Sequence, residues 1–307
     1  MHKPPMDKKL GKNFFAKIII AFLFAVLLSF SARNDSLLNI QPKSLQKGAV
    51  ASFEDVSSAT SSAVVLPTMS PAPTKTPEVS GNLLSGFCLR APVLLYHHVE
   101  PMETASKEGH TNLNVDSEIF DGQLSYLLSA GYQTISAEQL VDALINHKEL
   151  PSKSVLLTFD DGYEDFYTYI YPLLQKYHLV ANIMIPTGLM ENKGYLTWAQ
   201  LKEMVGSGLV FAYNHTWSHA SLAALPAEKM KAEVLTAQRQ LEDNLGRSSN
   251  IFFYPYGATN AQVIEVLRQN GFVAAFSTVH GFNQCDSFIM NLHRIHIGNA
   301  PLTSFGL

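Results

Sequence analysis

The chain has 307 residues, 47% of them hydrophobic, which is enough apolar content for one sizeable core. Its formal net charge is −4 and its sequence pI is near 6.2, so it offers no basic patch and argues against nucleic acid as a partner. The apolar residues are unevenly placed, and the first ninety positions contribute little to that core.

Residues 1–13 carry Lys3, Lys8, Lys9 and Lys12, and an apolar run from Ile18 to Leu28 follows. A basic region ahead of such a run marks export. Ser29-Phe30-Ser31 offers small residues for cleavage, whereas residues 14–32, with Lys17 able to snorkel, are long enough to remain as a membrane anchor. An anchored chain would keep its lysines in the cytoplasm and its folded part outside; a cleaved one would be secreted. Residues 33–82 are rich in Ser, Thr, Pro and Ala and read as a flexible tether, most clearly at Ser70–Pro77. The folded domain is expected over residues 83–307.

Cys88 and Cys285 are the two cysteines, one near each end of that domain. In an exported protein they could close a disulfide, but spacing alone cannot bring their Cα atoms within bonding distance.

Within the domain, Val93–Tyr96 reads as a strand ending in His97-His98, and Ser117–Ala130 has a helical apolar period. Ser136 and Gln139 form a capping-box pattern at the start of a second helix. Val155–Phe159 is a buried strand, Tyr167–Tyr177 a helix, Ala181–Ile185 a strand and Thr197–Val205 a helix capped by Thr197. Leu209–Tyr213, the helix Ala227–Leu245, Ile251–Tyr254, the helix Asn260–Gln269, and strands within Phe272–Ser277 and Phe288–Ile297 continue the alternation. About seven strands alternating with helices is the pattern of a parallel sheet closed into a barrel.

Two stretches concentrate chemistry. Thr158-Phe159-Asp160-Asp161-Gly162 ends a buried strand in paired carboxylates, an arrangement that separates well into one metal ligand and one proton acceptor. His215-Thr216-Trp217-Ser218-His219 follows another strand and offers two imidazoles to one ion. Position 216 is Thr, which excludes a thermolysin-type site. With eleven His in the chain such a pair is weak alone. Together with Asp161 it gives one carboxylate and two imidazoles, the ligand count of a catalytic zinc site. His97, Asp160, Asp161, His215 and Tyr256 all fall just beyond the C-terminal ends of predicted strands, the face on which barrel active sites are built.

In this order and separation, the two motifs resemble those of the polysaccharide deacetylases of carbohydrate esterase family 4, the NodB homology domain. Phe253-Tyr254-Pro255-Tyr256-Gly257 is similar to the third motif. Pro92-Val93-Leu94-Leu95-Tyr96-His97-His98-Val99 is similar to the opening strand of the branch acting on poly-β-1,6-N-acetylglucosamine. The resemblance covers about residue 90 to the C-terminus and implies a distorted (β/α)7 barrel. It also implies removal of N-acetyl groups from an extracellular N-acetylglucosamine polymer, with acetate released.

It assigns Asp161, His215 and His219 as metal ligands, Asp160 as general base and the Tyr256 amide as oxyanion donor. Zn²⁺ is the default ion, with Co²⁺, Ni²⁺ and Fe²⁺ also suited to the donors. His97 takes the general-acid role, with His296 and then His293 as alternatives; His98 reads as a supporting or buried histidine, and His110, His147, His178 and His280 as ordinary. Two departures stand out. Phe253 occupies the place where many relatives carry an Arg that orients the catalytic Asp, and the Asp-Trp pattern of the fourth motif is absent around Phe276–Val279. Both leave open how Asp160 is held. The alternatives to a deacetylase are a catalytically silent carbohydrate-binding relative and an esterase or amidase of small acetylated molecules.

Overall fold

A computed structural model of the chain describes residues 86–307. The expected export segment and tether lie outside the described residues. Seven strands follow one another around a closed ring: β1 (Val93–Tyr96), β2 (Ser154–Phe159), β3 (Ala181–Ile185), β4 (Val210–Asn214), β5 (Ile251–Phe253), β6 (Ala274–His280) and β7 (Leu292–His296). Every neighbouring pair is parallel, and the ring closes because β1 pairs with both β2 and β7. The expected seven-stranded barrel is therefore present. A further short strand, Gln133–Thr134, attaches to the start of β2.

The helices are α1 (Met102–Glu108), α2 (Ser117–Ser129), α3 (Ala137–Ile145), α4 (Tyr171–Tyr177), α5 (Trp198–Gly206), α6 (Ala227–Leu245) and α7 (Ala261–Gln269). Ser136 and Gln139 form a reciprocal capping box on α3, as do Thr197 and Gln200 on α5. Two expectations are corrected. The helix expected over Tyr167–Tyr177 is divided: Phe166–Ile170 forms a π turn and α4 begins after it, with Pro172 in its first turn. Proline has no N–H to give to the preceding turn, so it is tolerated only at such a start. The stretch Phe288–Ile297 is likewise divided between a 3₁₀ turn, Asp286–Asn291, and β7.

Strand side chains alternate faces, and the barrel sorts them accordingly. Val93, Leu156, Met184, Tyr213, Phe253, Phe276 and Leu292, one from each strand, fill the interior in a single cluster with Ile135 and Leu140 of the α3 region. The opposite positions, among them Leu94, Leu157, Ile183, Val210 and Ile295, pack outward against α2, α4 and α5. The outer face of β5 and β6 meets α6 and α7 through Phe252, Ala275, Val234 and Leu267. Two residues further along β1, β2, β4 and β7 from interior positions come Leu95, Thr158, His215 and Arg294; a further step of two gives His97, Asp160 and His296. The period of the strand thus aims these side chains at the C-terminal mouth.

Cys88 and Cys285 form a disulfide between two short antiparallel strands, Cys88–Arg90 and Asn283–Cys285. It spans 197 residues of sequence and so ties the two ends of the domain together. Replacing both cysteines by Ser should lower stability by roughly 2–5 kcal/mol, since the unfolded chain then regains the freedom of a very long loop. Denaturant unfolding of the variant and of the oxidised wild type tests this, and coincident midpoints would contradict it.

Candidate active site

Asp160 and Asp161 leave β2 in opposite directions because the backbone turns over between them. Asp161 takes φ 74° and Gly162 φ 66°. Left-handed backbone is costly for a residue other than glycine. Eight such residues occur among the described ones, and four of them, Asp161, Thr216, His219 and Tyr256, belong to this site.

After β4 the chain forms a tight loop. Asn214 Oδ1 accepts from the Thr216 amide at 2.9 Å, and Thr216 Oγ1 accepts from Ala220 at 2.9 Å. Glu233 of α6 accepts from the amides of Trp217 and Ser218 and from the Ser218 hydroxyl. So fastened, the loop presents both histidines to Asp161. His219 Nε2 lies 3.0 Å and His215 Nε2 3.4 Å from Asp161 Oδ1. Neither contact has hydrogen-bond geometry, so Asp161 Oδ1 and His215 Nε2 are buried without a partner. His215 Nδ1 is 2.8 Å from the Phe253 carbonyl oxygen, which can only accept. That bond puts the proton on Nδ1 and leaves the Nε2 lone pair facing the carboxylate.

Two imidazole nitrogens and a carboxylate oxygen converging without hydrogen-bond partners are the donor set a divalent cation takes, and these three residues fit one. Burial pushes the Asp161 carboxyl up, but positive charge on the facing histidines, or on an ion held between them, holds it below the ordinary carboxylate range. The Tyr163 hydroxyl donates to Asp161 Oδ2 at 3.0 Å. Burial and the Asp161 charge push that phenol far above its usual value, so it stays a donor.

Asp160 faces the barrel interior, where the sequence had left its support unexplained. The support is Arg294, on β7. Its Nη1 and Nη2 donate to the two Asp160 oxygens at 2.6 and 2.9 Å, and its Nε donates to the Ser277 carbonyl at 2.8 Å. Arg294 is fully buried, and its guanidinium lies 5.4 Å from the centre of the Phe253 ring. Phe253 therefore packs against the arginine instead of supplying one. Burial would raise the Asp160 pKa, but Arg294 and His215 outweigh it and hold the carboxyl below its ordinary value. Arg294 went unnoticed in the sequence because Leu292-His293-Arg294-Ile295-His296 draws attention to its histidines. The available signal was the inward period Leu292, Arg294, His296.

His97 follows β1 directly, and its ring stacks on that of His296 at 6.0 Å. Burial lowers its pKa, opposed by the nearby Asp160 and Asp161 charges. His296 stands on the same mouth, more exposed, with its pKa also lowered by burial and by His97. His293 points away: it stacks on Phe288 at 4.4 Å, outside the group around Asp160. Tyr256 sits in a turn closed by Gly257 donating to Tyr254 and Ala258 to Pro255, which leaves the Tyr256 amide out of the turn's own bonding. A Cβ on Gly257 would run into Thr278 Oγ1 and the Thr278 backbone, so this turn requires glycine. The Tyr256 side chain is 67% exposed beside His219, and Trp217 is 43% exposed on the neighbouring loop.

Replacing Arg294 by Met leaves Asp160 buried and unpaired, which should cost about 3–5 kcal/mol at neutral pH. In the wild type the depressed Asp160 pKa adds stability above the unfolded value and loses it as pH falls through the folded one. In the variant, burial without the arginine raises the Asp160 pKa, so protonation relieves the stranded charge as pH falls, and the difference between the two proteins should narrow from neutral pH downward and be small below about pH 4. Equal denaturant midpoints at pH 7 would show that the pair does not support the fold.

The family described as Polysaccharide deacetylase matches residues 147–275, which include Asp160, Asp161, His215, His219 and Tyr256. The chain is 28% identical over 208 residues to YxkH of Bacillus subtilis, covering 68% of this chain and 71% of that protein. It is 28% identical over 232 residues to the poly-β-1,6-N-acetyl-D-glucosamine N-deacetylase of Escherichia coli, covering 62% of this chain but 34% of that protein, about a third of its length. Among solved structures, the Streptococcus pyogenes deacetylase PplD in complex with acetate superposes with a TM-score of 0.64 at 29% identity, over 68% of this chain and 92% of that one. In motif, fold and these likenesses, the chain is similar to the polysaccharide deacetylases, whose family model matches its residues 147–275.

Proposed function

We propose that the chain is a metal-dependent hydrolase that removes N-acetyl groups from an extracellular N-acetylglucosamine polymer, held at the cell membrane by residues 14–32 or secreted. The observation that carries this reading is the pairing of two charge systems in one mouth. Asp161, His215 and His219 converge as a donor set in which Asp161 Oδ1 and His215 Nε2 are buried and unsatisfied, and beside it Asp160 is kept ionised by Arg294. The E. coli relative's name supports a β-1,6-linked polymer as substrate. Exposed Trp217 and Tyr256 give the mouth the amphipathic rings on which sugar faces stack.

Asp161, His215 and His219 would hold the ion, Zn²⁺ by default, and when bound it supplies Lewis acidity toward the acetyl carbonyl and its water. Asp160 takes a proton from the attacking water. Each of its oxygens keeps a lone pair beyond the one engaged by Arg294, so the bidentate bond fixes the base without blocking it. The negative charge that develops on the carbonyl oxygen meets the free amide of Tyr256. As the C–N bond breaks, the amine nitrogen takes a proton from His97, leaving acetate and a free amine.

Acetate release by the purified chain on β-1,6- and β-1,4-linked N-acetylglucosamine oligomers, with and without added Zn²⁺, tests the reading. Release should need the metal and be faster on the β-1,6 linkage. Asp160→Asn should abolish it while leaving metal content unchanged. A wild type that binds metal and glycan but releases no acetate would instead be a silent carbohydrate-binding relative, and turnover only of small acetylated molecules would favour the esterase reading.

His97 has a separate test in the leaving group. An amine must be protonated to depart, whereas 4-nitrophenolate departs unaided. His97→Ala should therefore slow amide hydrolysis by about 10²–10⁴-fold and leave 4-nitrophenyl acetate hydrolysis within a few-fold. The same selective loss in His296→Ala, with His97→Ala near normal, would transfer the role to His296.

A further inference from the structure

A second cluster of metal-ligating groups lies beside the mouth and shares no residue with the first. One residue beyond β1, the short strand His98–Val99 pairs in parallel with Asn114–Val115. His98 and Glu100 are thereby buried, at 5% and 4% exposure. Gly109 ends α1 in the left-handed conformation and turns the chain back, so that His110 Nδ1 reaches Glu100 Oε1 at 3.2 Å. The two imidazole rings stack at 4.0 Å, and the other face of His98 is covered by Tyr163 at 3.8 Å. The ring faces are thus taken, and only the ring edges remain to bind anything.

The carboxylates gather at those edges. Asp165 Oδ2 accepts from His98 Nδ1 at 2.9 Å and from the Val99 amide at 3.0 Å. Its other oxygen, Oδ1, is buried and has no partner, although the Asp165 side chain is only 8% exposed. An orphaned carboxylate oxygen beside imidazole nitrogens is the feature already seen at Asp161. One donor atom from each of His98, Glu100 and His110 falls within 4.8 Å of the others. The solvent-open cavity of about 210 Å³ that they line also receives Glu108 and Glu164, and no Lys or Arg lines it. The bases that meet these carboxylates are the two imidazoles, so Glu100, Glu108, Glu164 and Asp165 outnumber His98 and His110 in the lining, an excess of negative charge that a divalent cation would balance.

We propose that His98, Glu100 and His110 form a second divalent-metal site, with Asp165 as the carboxylate that fixes the His98 imidazole. Mixed imidazole and carboxylate donors suit Zn²⁺, Mn²⁺, Co²⁺ or Ni²⁺ better than Ca²⁺ or Mg²⁺. The site is separate from Asp161, His215 and His219, but Tyr163 bridges the two: its ring lies on His98 and its hydroxyl holds Asp161. An ion at the second site would brace the tyrosine that orients a ligand of the first. On this reading His110, expected from the sequence to be ordinary, and His98, expected to be supporting or buried, would both be ligands.

The experiment counts ions. The full-length chain, free of any histidine tag, is stripped with chelator, dialysed against buffered Zn²⁺ and assayed for metal per chain by plasma mass spectrometry. The wild type should hold two ions, His215→Ala/His219→Ala one, and Glu100→Gln/His110→Ala one. Because Glu100 is buried, His110→Ala alone, at a side chain 32% exposed, serves as the variant least able to disturb folding. It should weaken the second equivalent at least tenfold in a Co²⁺ titration read by visible absorption, with the first equivalent still tight. A wild type that saturates at one ion would overturn the proposal and leave the cluster as proton-sharing histidine–carboxylate pairs. A second equivalent unaffected by His110→Ala and by the double variant would overturn it equally, placing that ion elsewhere.

Discussion

The buried pair of Arg294 and Asp160 is the contact on which the rest depends. β1 lies between β2 and β7, so the arginine of one flanking strand reaches the carboxylate of the other across the barrel's mouth. Neither charge is tolerable alone in a barrel filled by Phe253, Phe276 and Leu292. The pair therefore exists only when the ring is closed, and closure of the ring is what assembles the site. Fold and chemistry share one interaction, which leaves little freedom to alter either separately.

Around that pair the site is built from loops held in costly conformations. Asp161, Thr216, His219 and Tyr256 all take positive φ, and each is over-determined by its surroundings. Glu233 fixes the histidine loop through three hydrogen bonds. Thr278 leaves room beside the Tyr256 turn only for a glycine. Strain of this kind persists when neighbouring structure holds it, and its return is side chains aimed where regular strands and helices could not aim them.

Much of this was readable from the residues. The strands from Val93 to Ile251 and the helix caps at Ser136 and Thr197 follow from periodicity and capping chemistry, which are local. The grouping of Asp161 with His215 and His219 was legible because strand ends share a face in a barrel. What sequence hid was the long-range pairing. Arg294 lies far along the chain from Asp160, and its partner is set by which strand closes the ring, a fact no local pattern carries. The cluster of His98, Glu100, His110 and Asp165 was hidden for the same reason: it is gathered from a strand end, a helix exit and the turn after the paired aspartates. The division of Tyr167–Tyr177 at Pro172 is different, since the proline was in plain view and only its place inside an apolar period concealed it.

The disulfide bears on how the domain carries mechanical load. A pull through the preceding chain reaches Cys88 two residues after Gly86, and the sulfur bridge passes it to Cys285 in the adjoining strand. β1 and the histidine at its end are thus kept out of the line of force. Without the bridge, only the short pairing of Cys88–Arg90 with Asn283–Cys285 would stand between that tension and Val93. With it, a force arriving at Cys88 is shared with Cys285 before it reaches the strand that completes the barrel.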